Sequence, residues 1–491
     1  MRPCPHFISG RWTPAGESPT GPVFNPSLGA QIAEVPLASA ALVDEAVRSA
    51  DSAFGQWSET PATDRVQFLF RYKALLEKHA SELATLVSTE HGKTLAEARG
   101  DVRRGIQMVE YATGIPPLLM GESLENIARG IDCDSIRQPL GVCTGITPFN
   151  FPAMVPLWMF PLALASGNTF VLKPSEKVPL TAVRLTELLL ETGLPGGVFQ
   201  LVHGNHNTVD ALITHPLVRA VSFVGSTPVA REVFIKASAH GKRVQAAGGA
   251  KNFVVLMPDA PVDEAVRGLS EAAFGCAGER CMAGSMAIAV GGAGDNIVPA
   301  LADTAKRVRV GPTFNDPEVQ MGPVITATHR DRVETLITAS CSEGADIPAD
   351  GRGLRLTNAP NGFFVGPTIL DNVRPDTTPM REEIFGPVLS IIRCDNLGEA
   401  IDIANRSAFG NGAAILTRSG HAAREFRHRV RAGMVGINVG VPAPMAMFPF
   451  SGWNESFFGD LHIQGHEGIA FYTRQKVTTS RWIGDNDVRS R

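Results

Sequence analysis

The hydrophobic pattern between residues 140 and 257 alternates between short β-rich runs and segments long enough for helices. The runs are GVCTGI (141–146), TFVLK (169–173), VFQLV (198–202), RAVSFV (219–224) and NFVVLM (252–257). One intervening segment, TAVRLTELLLETG, ends at Gly193-Leu194-Pro195, a typical helix stop. Strand, helix and strand at this spacing predict βαβ units and a parallel sheet.

A second alternating stretch, from about residue 262 to residue 440, predicts a second α/β domain. Its predicted elements are helices at 262–274, 296–308 and 398–407 and strands at 286–290, 387–394, 413–417 and 433–439. The N-terminal part, to about residue 120, has a mostly helical pattern. Two β-like pieces lie outside both stretches, at 133–141 and 476–483, and could pair with each other or with another subunit.

The composition is that of a globular protein of several domains. The chain has 491 residues, of which 44% are hydrophobic and 19% charged, and its length suggests about three domains. A net charge of −4 without a dense Lys/Arg run argues against nucleic-acid binding. The most apolar stretch, 151–167, is broken by Pro156 and Pro161 and predicts a buried helix rather than a membrane span. No secretory signal is evident, so a cytoplasmic location is predicted.

Seven cysteines are an odd and sparse count for this length, which suits a reducing compartment. Two of them, Cys276 and Cys281, lie in the small-residue turn FGCAGERCMAGS. A Cys-x4-Cys pair without a second Cys/His pair is a poor zinc signature, and no metal site is predicted. The interpretations left are a nucleophilic cysteine and an inert buried thiol.

The usual dinucleotide fingerprint, GxGxxG after the first strand, is missing from the βαβ region. Residues 221–234, VSFVGSTPVAREVF, instead run from a strand through Gly225, Ser226 and Thr227 into a helix. The free N–H groups at such a helix start suit a pyrophosphate, although the same turn also serves as an ordinary helix cap.

Six pieces in fixed order resemble motifs of the aldehyde dehydrogenase superfamily. They are TPFNFP (147–152), LKPSE (172–176), FVGST (223–227), the turn ending in Cys281, EEIFGPV (382–388), and the tail PFSGW (449–453) with FYTRQKV (471–477). The match covers nearly the whole chain from FISGRW onward. The details GERCM, GAKN, PAPMAMFPFSGW and SFFGDLH resemble the methylmalonate-semialdehyde dehydrogenase branch, whose members are CoA-acylating.

The resemblance implies an α/β, aldehyde dehydrogenase-like fold with two doubly wound parallel-sheet domains and a small β oligomerisation element. It also implies a homo-tetramer built from dimers, with a small-molecule substrate and neither nucleic acid nor membrane as a partner. The implied ranges are 1–121 and 142–251 for an NAD-binding domain, 252–450 for a catalytic domain, and 122–141 with 468–491 for oligomerisation strands.

By the same resemblance Cys281 is the nucleophile and Asn150 supports the oxyanion. Oxidising an aldehyde to a thioester needs a soft group that adds to the carbonyl and later leaves, and cysteine meets both needs. A side-chain amide beside the thiol, together with a backbone N–H, forms an oxyanion hole. Cys276 falls where the family tolerates small residues.

The resemblance also implies NAD as the cofactor. Lys173 and Glu176 would bind the adenine ribose, Gly225 and Ser226 would lie beside the pyrophosphate, and Glu383 would bind the nicotinamide ribose. Phe149 and Phe385 complete the implied cofactor set. A carboxylate at Glu176 would repel a 2′-phosphate, which favours NAD over NADP.

One position departs from the hydrolytic members of the family, which carry a glutamate general base in a Glu-Leu-Gly-Gly-Lys segment. The equivalent stretch here is AGGAKN, and Ala247 occupies the position of the glutamate. A positioned general base contributes about 10²–10⁴-fold, so water is poorly activated without one. The acyl-enzyme is expected to persist until a thiol such as that of coenzyme A arrives.

Arg280 precedes the nucleophile, and its planar fork suits the carboxylate of a substrate. The branch uses this arginine with an earlier one, for which Arg103 and Arg104 are candidates. Helical spacing aligns Arg104 with Met108 and Tyr111 on a partly apolar face, and Arg104 is therefore predicted. For both predicted arginines the alternative is a structural salt bridge.

The sequence therefore predicts an NAD-dependent, CoA-acylating enzyme that converts methylmalonate or malonate semialdehyde to propionyl-CoA or acetyl-CoA through a Cys281 thioester. One alternative is a hydrolytic aldehyde dehydrogenase that releases a free acid. A second is a catalytically silent homologue with a binding role, which predicts the loss of Cys281, Asn150 or Glu383. All three residues are present.

Overall fold

The computed structural model describes residues 4–14, 16, 18–314 and 316–483. Their β-strands, in chain order, are β1 His6–Ile8, β2 Arg11–Thr13, β3 Thr20–Asn25, β4 Ala30–Pro36, β5 Ser123–Ala128, β6 Ile131–Pro139, β7 Val142–Ile146, β8 Thr169–Lys173, β9 Phe199–Leu201, β10 Val218–Val224, β11 Arg243–Ala247, β12 Phe253–Leu256, β13 Met286–Val290, β14 Asp346–Ala349, β15 Thr368–Asp371, β16 Val388–Cys394, β17 Phe409–Gly410, β18 Gly412–Leu416, β19 Met434–Ile437, β20 Trp453–Asn454, β21 Phe457–Phe458 and β22 Thr473–Arg481.

The same residues form α-helices between these strands and one 3₁₀ turn at Gly275–Gly278. The helices are α1 Ala40–Glu59, α2 Ala62–Lys78, α3 Ala80–His91, α4 Leu95–Thr113, α5 Ile115–Leu118, α6 Met154–Ala165, α7 Pro179–Leu190, α8 His206–Thr214, α9 Thr227–Ala239, α10 Val262–Phe274, α11 Ala293–Arg307, α12 Ala327–Ser342, α13 Thr378–Arg381, α14 Leu397–Asn405, α15 Gly420–Arg429 and α16 Gly465–Phe471. The predicted helices at 262–274, 296–308 and 398–407 correspond to α10, α11 and α14.

The first large sheet has the order β2-β1-β9-β8-β7-β10-β11-β21, and its strands β9, β8, β7, β10 and β11 are parallel. Successive side chains of β8 pack in different hydrophobic clusters. Phe170 and Leu172 belong to one cluster and Val171 belongs to another. The sheet is therefore covered by helices on both faces, as a doubly wound fold requires. Strand β21 comes from a stretch that the predicted domain ranges left unassigned.

The second large sheet has the order β14-β15-β16-β13-β12-β18-β19, and all its pairs are parallel except β14 with β15. The five runs predicted for the first region and the four for the second all appear as strands. The last run of the first region, NFVVLM, however, forms β12 and belongs to the second sheet, where it pairs with β13 and β18. This arrangement confirms the predicted α/β fold class with two parallel sheets.

The two β-like pieces outside these units pair with each other. Strand β22 runs antiparallel to β6 from Thr473 opposite Pro139 to Arg481 opposite Ile131, and β5 completes a three-stranded sheet. This sheet leaves apolar side chains exposed, among them Ile136 at 44% and Val477 at 65%. Residues 484–491 of the predicted oligomerisation segment lie outside the described residues.

The apolar stretch 151–167 contains α6, which is buried along its whole length except at its first residue, Met154. The prediction of a buried helix is confirmed. In the described part of the chain, no helix has both the length and the apolar character needed to cross a membrane.

Candidate active site

Cys281 follows a tightly constrained turn at the end of α10. Cys276 and Ala277 have φ values of 50° and 52°, in the left-handed region that residues with a Cβ rarely adopt. Gly278 continues the turn at φ +74°, and a Cβ there would lie 2.0 Å from the carbonyl oxygen of Gly386. A glycine is therefore required at this position, and the backbone that leads to the thiol has little freedom.

Two asparagine amides hold the backbone at the predicted nucleophile. The Nδ2 groups of Asn252 and Asn411 donate to the carbonyl of Cys281 at 2.9 and 3.0 Å. Asn252 also donates to the carbonyl of Ala283 at 2.9 Å, and its Oδ1 accepts from the N–H of Gly412. These bonds fix the turn to the starts of β12 and β18. Asn252 lies within the GAKN motif, but no role was predicted for Asn252 or Asn411 from the sequence.

Cys281 lines a cavity of about 240 Å³ between the two large sheets' helices and loops. Burial raises the pKa of the Cys281 thiol to about 12, and the carboxylate of Glu383 acts in the same direction. The thiol is therefore protonated at neutral pH. The cavity is lined by Glu97, Gly100, Asp101, Arg104, Gln107, Met108, Phe151, Met154, Trp158, Cys276, Arg280, Cys281, Met282, Val441, Ala443, Pro444, Ala446, Phe450 and Gln464.

Both predicted carboxylate-binding arginines line this cavity with Cys281. Arg104 projects from α4 and donates to the carbonyl of Pro444 at 3.2 Å, whereas its neighbour Arg103 is exposed. Arg280 is held by an ion pair with Glu97 at 3.3 Å, and its Nε donates to the Sγ of Cys276. The structure thus brings two guanidinium groups into the same cavity wall as the thiols of Cys281 and Cys276. It also shows the salt bridge that was the alternative for Arg280.

Asn150 is 4% exposed in the loop between β7 and α6, directly before the lining residue Phe151. Its carbonyl accepts from the Nζ of Lys93 at 2.7 Å, and that ammonium group forms a fully buried ion pair with Asp101 at 3.1 Å. Asp101 in turn accepts from the N–H of Met154 at 2.7 Å. The buried pair therefore positions both ends of the loop that carries the predicted oxyanion donor. The sequence gave no signal for Lys93 or Asp101.

Replacing Lys93 by methionine is expected to lower the free energy of unfolding by about 3–5 kcal/mol, because the buried Asp101 carboxylate loses its counterion. The measurement is urea denaturation of the variant and the wild type. A matched control is Lys73→Met, since Lys73 forms an i,i+4 pair with Glu77 on the surface of α2 and should cost at most about 0.5 kcal/mol. Equal losses in the two variants would contradict the role given to Lys93.

Four of the predicted cofactor residues, Lys173, Glu176, Gly225 and Ser226, lie at the carboxyl ends of strands β8 and β10 of the first sheet. Lys173 ends β8 and lies 3.1 Å from Glu176. Gly225 and Ser226 form the turn from β10 into α9, and Ser226 makes no side-chain capping bond to this helix. Ligands of doubly wound sheets bind at this edge, where helix N-termini expose free N–H groups.

A smaller cavity adjoins the nucleophile turn and is lined by Glu383, Phe385, Ala250 and Arg280, among others. The Oε1 of Glu383 accepts from the N–H of Ala250 at 2.8 Å. The ring of Phe385 meets that of Phe149 edge-on, with centroids 6.0 Å apart. Arg280 lines both cavities, so the two spaces share one guanidinium group.

Ala247 lies at the end of β11 and is 4% exposed. It packs in an apolar cluster that includes Met282, Phe450 and Phe457. The methyl group of Ala247 carries no titratable atom, so this residue cannot act as a base in place of the glutamate of hydrolytic members. The carboxylates that line the larger cavity within the described residues belong to Glu97 and Asp101, and each of them already faces a cation.

Comparison with known proteins identifies the family. The model of the aldehyde dehydrogenase family matches residues 12–478. The chain belongs to the aldehyde dehydrogenase family. It is 52% identical over 477 residues to malonate-semialdehyde dehydrogenase 2 of Geobacillus kaustophilus, which covers 97% of this chain and 98% of that protein.

Two solved structures of this aldehyde dehydrogenase fold are close matches to the chain. Methylmalonate-semialdehyde dehydrogenase from Oceanimonas doudoroffii has a TM-score of 0.97 and 47% identity, with full coverage of both chains. A protein of Sinorhizobium meliloti 1021, assigned as a methylmalonate-semialdehyde dehydrogenase and complexed with NAD, has a TM-score of 0.97 and 44% identity over 99% of each chain. The predicted resemblance to this family and its fold is confirmed.

Proposed function

We propose that this aldehyde dehydrogenase oxidises methylmalonate or malonate semialdehyde with NAD and transfers the decarboxylated acyl group to coenzyme A. The relatives named above support the substrate class, because they are malonate- and methylmalonate-semialdehyde dehydrogenases. The structure that binds NAD supports the cofactor. The observation that carries the proposal is the cavity that combines Cys281 with Arg104 and Arg280 and has no uncommitted carboxylate base among its described residues.

The residues at the sheet edge fit a dinucleotide. The first turn of α9 can hold the pyrophosphate, since Ser226 leaves its N–H groups uncapped. Lys173 and Glu176 would bind the adenine ribose. The Oε2 of Glu383 is left for a ligand, and it lies so close to Gly249 that a Cβ on this glycine would be 2.4 Å from it. Phe149 and Phe385 would flank the nicotinamide. When bound, NAD accepts the hydride from the oxidised carbon.

In the proposed reaction Arg104 and Arg280 bind the carboxylate of the semialdehyde and direct its carbonyl toward Cys281. The Cys281 thiol gives its proton to water, and its thiolate Sγ adds to the carbonyl carbon. The carbonyl π electrons move onto the oxygen, and Asn150 donates to the resulting oxyanion. The amide of Asn150 has no hydrogen-bond partner among the described residues, so it remains able to donate. Loss of hydride then leaves a thioester on Cys281.

The thioester is β to the substrate carboxylate, so loss of CO2 leaves its electron pair on the α-carbon, conjugated with the thioester carbonyl. Protonation of that carbon gives a propionyl or acetyl thioester. The thiolate of coenzyme A attacks the carbonyl, and the Cys281 thiolate leaves. Water competes poorly because Ala247 carries no base and both carboxylates of the described cavity lining are paired with cations.

We further propose that the three-stranded sheet of β5, β6 and β22 serves a homo-tetramer built from dimers. Its exposed apolar side chains are Leu124, Ile127, Ile136 and Val477. An apolar group of this kind on a surface favours contact with another protein. The domain ranges 1–121 with 142–251, 252–450, and 122–141 with 468–491 stay part of this proposal, and a cytoplasmic location stays a prediction.

The test is NADH formation from methylmalonate semialdehyde and NAD, with and without coenzyme A, with the products identified by mass. We expect steady turnover to propionyl-CoA with coenzyme A and a single-turnover burst without it. The steady rate without coenzyme A should be lower by about 10²–10⁴-fold, the contribution of the missing base. Equal turnover that releases a free acid would establish the hydrolytic alternative, and no NAD-induced thermal stabilisation would favour the silent homologue.

A further inference from the structure

Glu97 connects three parts of the cavity wall. It occupies the third position of α4, where its Oε2 accepts from the N–H and the hydroxyl of Thr94 at 2.9 Å. Its Oε1 accepts from the N–H of Cys276 at 2.6 Å and lies 3.3 Å from the Nη2 of Arg280. One carboxylate thus completes a capping box, fixes the nucleophile turn and neutralises an arginine.

The charged groups of the cavity are unevenly balanced. Among the described lining residues they are Glu97, Asp101, Arg104 and Arg280. Asp101 is neutralised by its ion pair with Lys93. Among the described residues, the hydrogen-bond partners of Arg104 are the carbonyl of Pro444 and the sulfur of Met445, both of which are neutral. Two guanidinium groups therefore face one carboxylate that no lysine neutralises. A single positive charge remains, which matches a substrate with one carboxylate.

We propose that Glu97 competes with the substrate carboxylate for Arg280 and thereby sets how tightly the cavity binds an anion. The inference rests on the proposed function, since it assumes that Arg104 and Arg280 receive a carboxylate. Glu97 acts through Arg280 and is a positioning residue.

The competition has a consequence after decarboxylation. The substrate then loses its charge while the acyl group still occupies Cys281. A half-buried guanidinium without a counterion is costly. Glu97 lies within 3.3 Å of Arg280 and restores the ion pair at this stage, so Arg280 keeps a counterion until the acyl group leaves.

The test is the substitution Glu97→Gln, which removes the charge and keeps a side chain that suits the third position of a capping box. The probe is propionate, a monocarboxylate without an aldehyde, as a competitive inhibitor. Its inhibition constant is expected to fall roughly tenfold, the factor that about 1.4 kcal/mol represents. The KM for propanal, which has no carboxylate, should stay within about twofold, because propanal does not engage the cavity's charge.

The direction in which the propionate inhibition constant changes distinguishes the loss of a competing charge from a disturbed structure. A disturbed nucleophile turn would weaken propionate and propanal together, whereas removal of a competing carboxylate tightens only propionate. Glu97→Asp keeps the negative charge but is one methylene shorter, so its inhibition constant should fall less than that of Glu97→Gln. Glu399→Gln is the matched control, since Glu399 occupies the same position of α14 and accepts from the N–H of Asp395.

Two results distinguish failure of this inference from failure of the proposed function. If the wild type prefers malonate semialdehyde to propanal and Arg104→Leu removes that preference, the carboxylate site is present. An unchanged or raised inhibition constant for propionate in Glu97→Gln would then overturn the role of Glu97 alone. If the wild type shows no preference for the carboxylated aldehyde, both proposals fail.

Discussion

Replacing Cys281 by alanine is expected to reduce NADH formation by roughly 10⁴-fold or more, the scale on which removal of a covalent nucleophile acts. The structure gives the reason, because the turn at Cys276–Gly278 and the amides of Asn252 and Asn411 present this thiol to the cavity. The other thiol of this cavity, that of Cys276, is engaged by the Nε of Arg280. The measurement is NADH absorbance with malonate semialdehyde, with and without coenzyme A.

The same variant should still bind NAD, because the hydrogen bonds from Asn252 and Asn411 reach the backbone carbonyl of Cys281, which the substitution keeps. Thermal stabilisation by NAD checks this expectation. The control is Cys341→Ala, because Cys341 lies near the end of α12 and is part of neither cavity wall. Substantial turnover in Cys281→Ala would refute the nucleophile assignment, whatever the behaviour of Cys341→Ala.

The second large effect is expected for Asn150→Ala, with a decrease of about 10²–10³-fold in kcat, the usual cost of one oxyanion donor. The loop is fixed through the backbone carbonyl of Asn150, which accepts from Lys93, and this bond survives the substitution. The variant should therefore fold normally, and KM should change little. Pre-steady-state NADH formation measures the loss at the oxidation step.

Asn150→Asp is the size-matched companion. A carboxylate there would repel the oxyanion, so this variant should be at least as slow as Asn150→Ala. Urea denaturation of both variants provides the stability control. A kcat within about tenfold of the wild type in Asn150→Ala would contradict an oxyanion role.

The sequence predicted most strands of the two large sheets, because buried parallel strands are continuous apolar runs. It did not predict β1 to β4 within the mostly helical N-terminal part. Strands β1 and β2 have three residues each, too short to establish a period, and β3 carries Gly21 and Pro22, which lower its β propensity. Hydrogen bonding to a partner strand stabilises these weak segments as strands, since β1 pairs with the distant β9 and β3 pairs with the adjacent β4.

Only part of the candidate active site could be predicted from the sequence, because some of its residues are held by partners that are distant along the chain. Motif resemblance indicated Cys281, Arg280 and Asn150, because each lies in a short contiguous signature. The residues that hold them act across long separations, since Lys93 and Asn150 are 57 residues apart and Glu97 and Arg280 are 183 apart. A local pattern carries no information on such contacts. Thr94 and Glu97 have the spacing of a capping box, but this pattern indicates a helix start and not a contact with Arg280.

Arg280 stands in the wall between the larger and the smaller cavity. Occupancy of one cavity therefore changes the electrostatic environment of the other, and such a coupling is reciprocal in binding free energy. In the proposed function these cavities hold the substrate and the nicotinamide, so a substitution at Arg280 is expected to alter both affinities. Its effect on carboxylate binding is then separated by titrating each ligand in the presence and absence of the other.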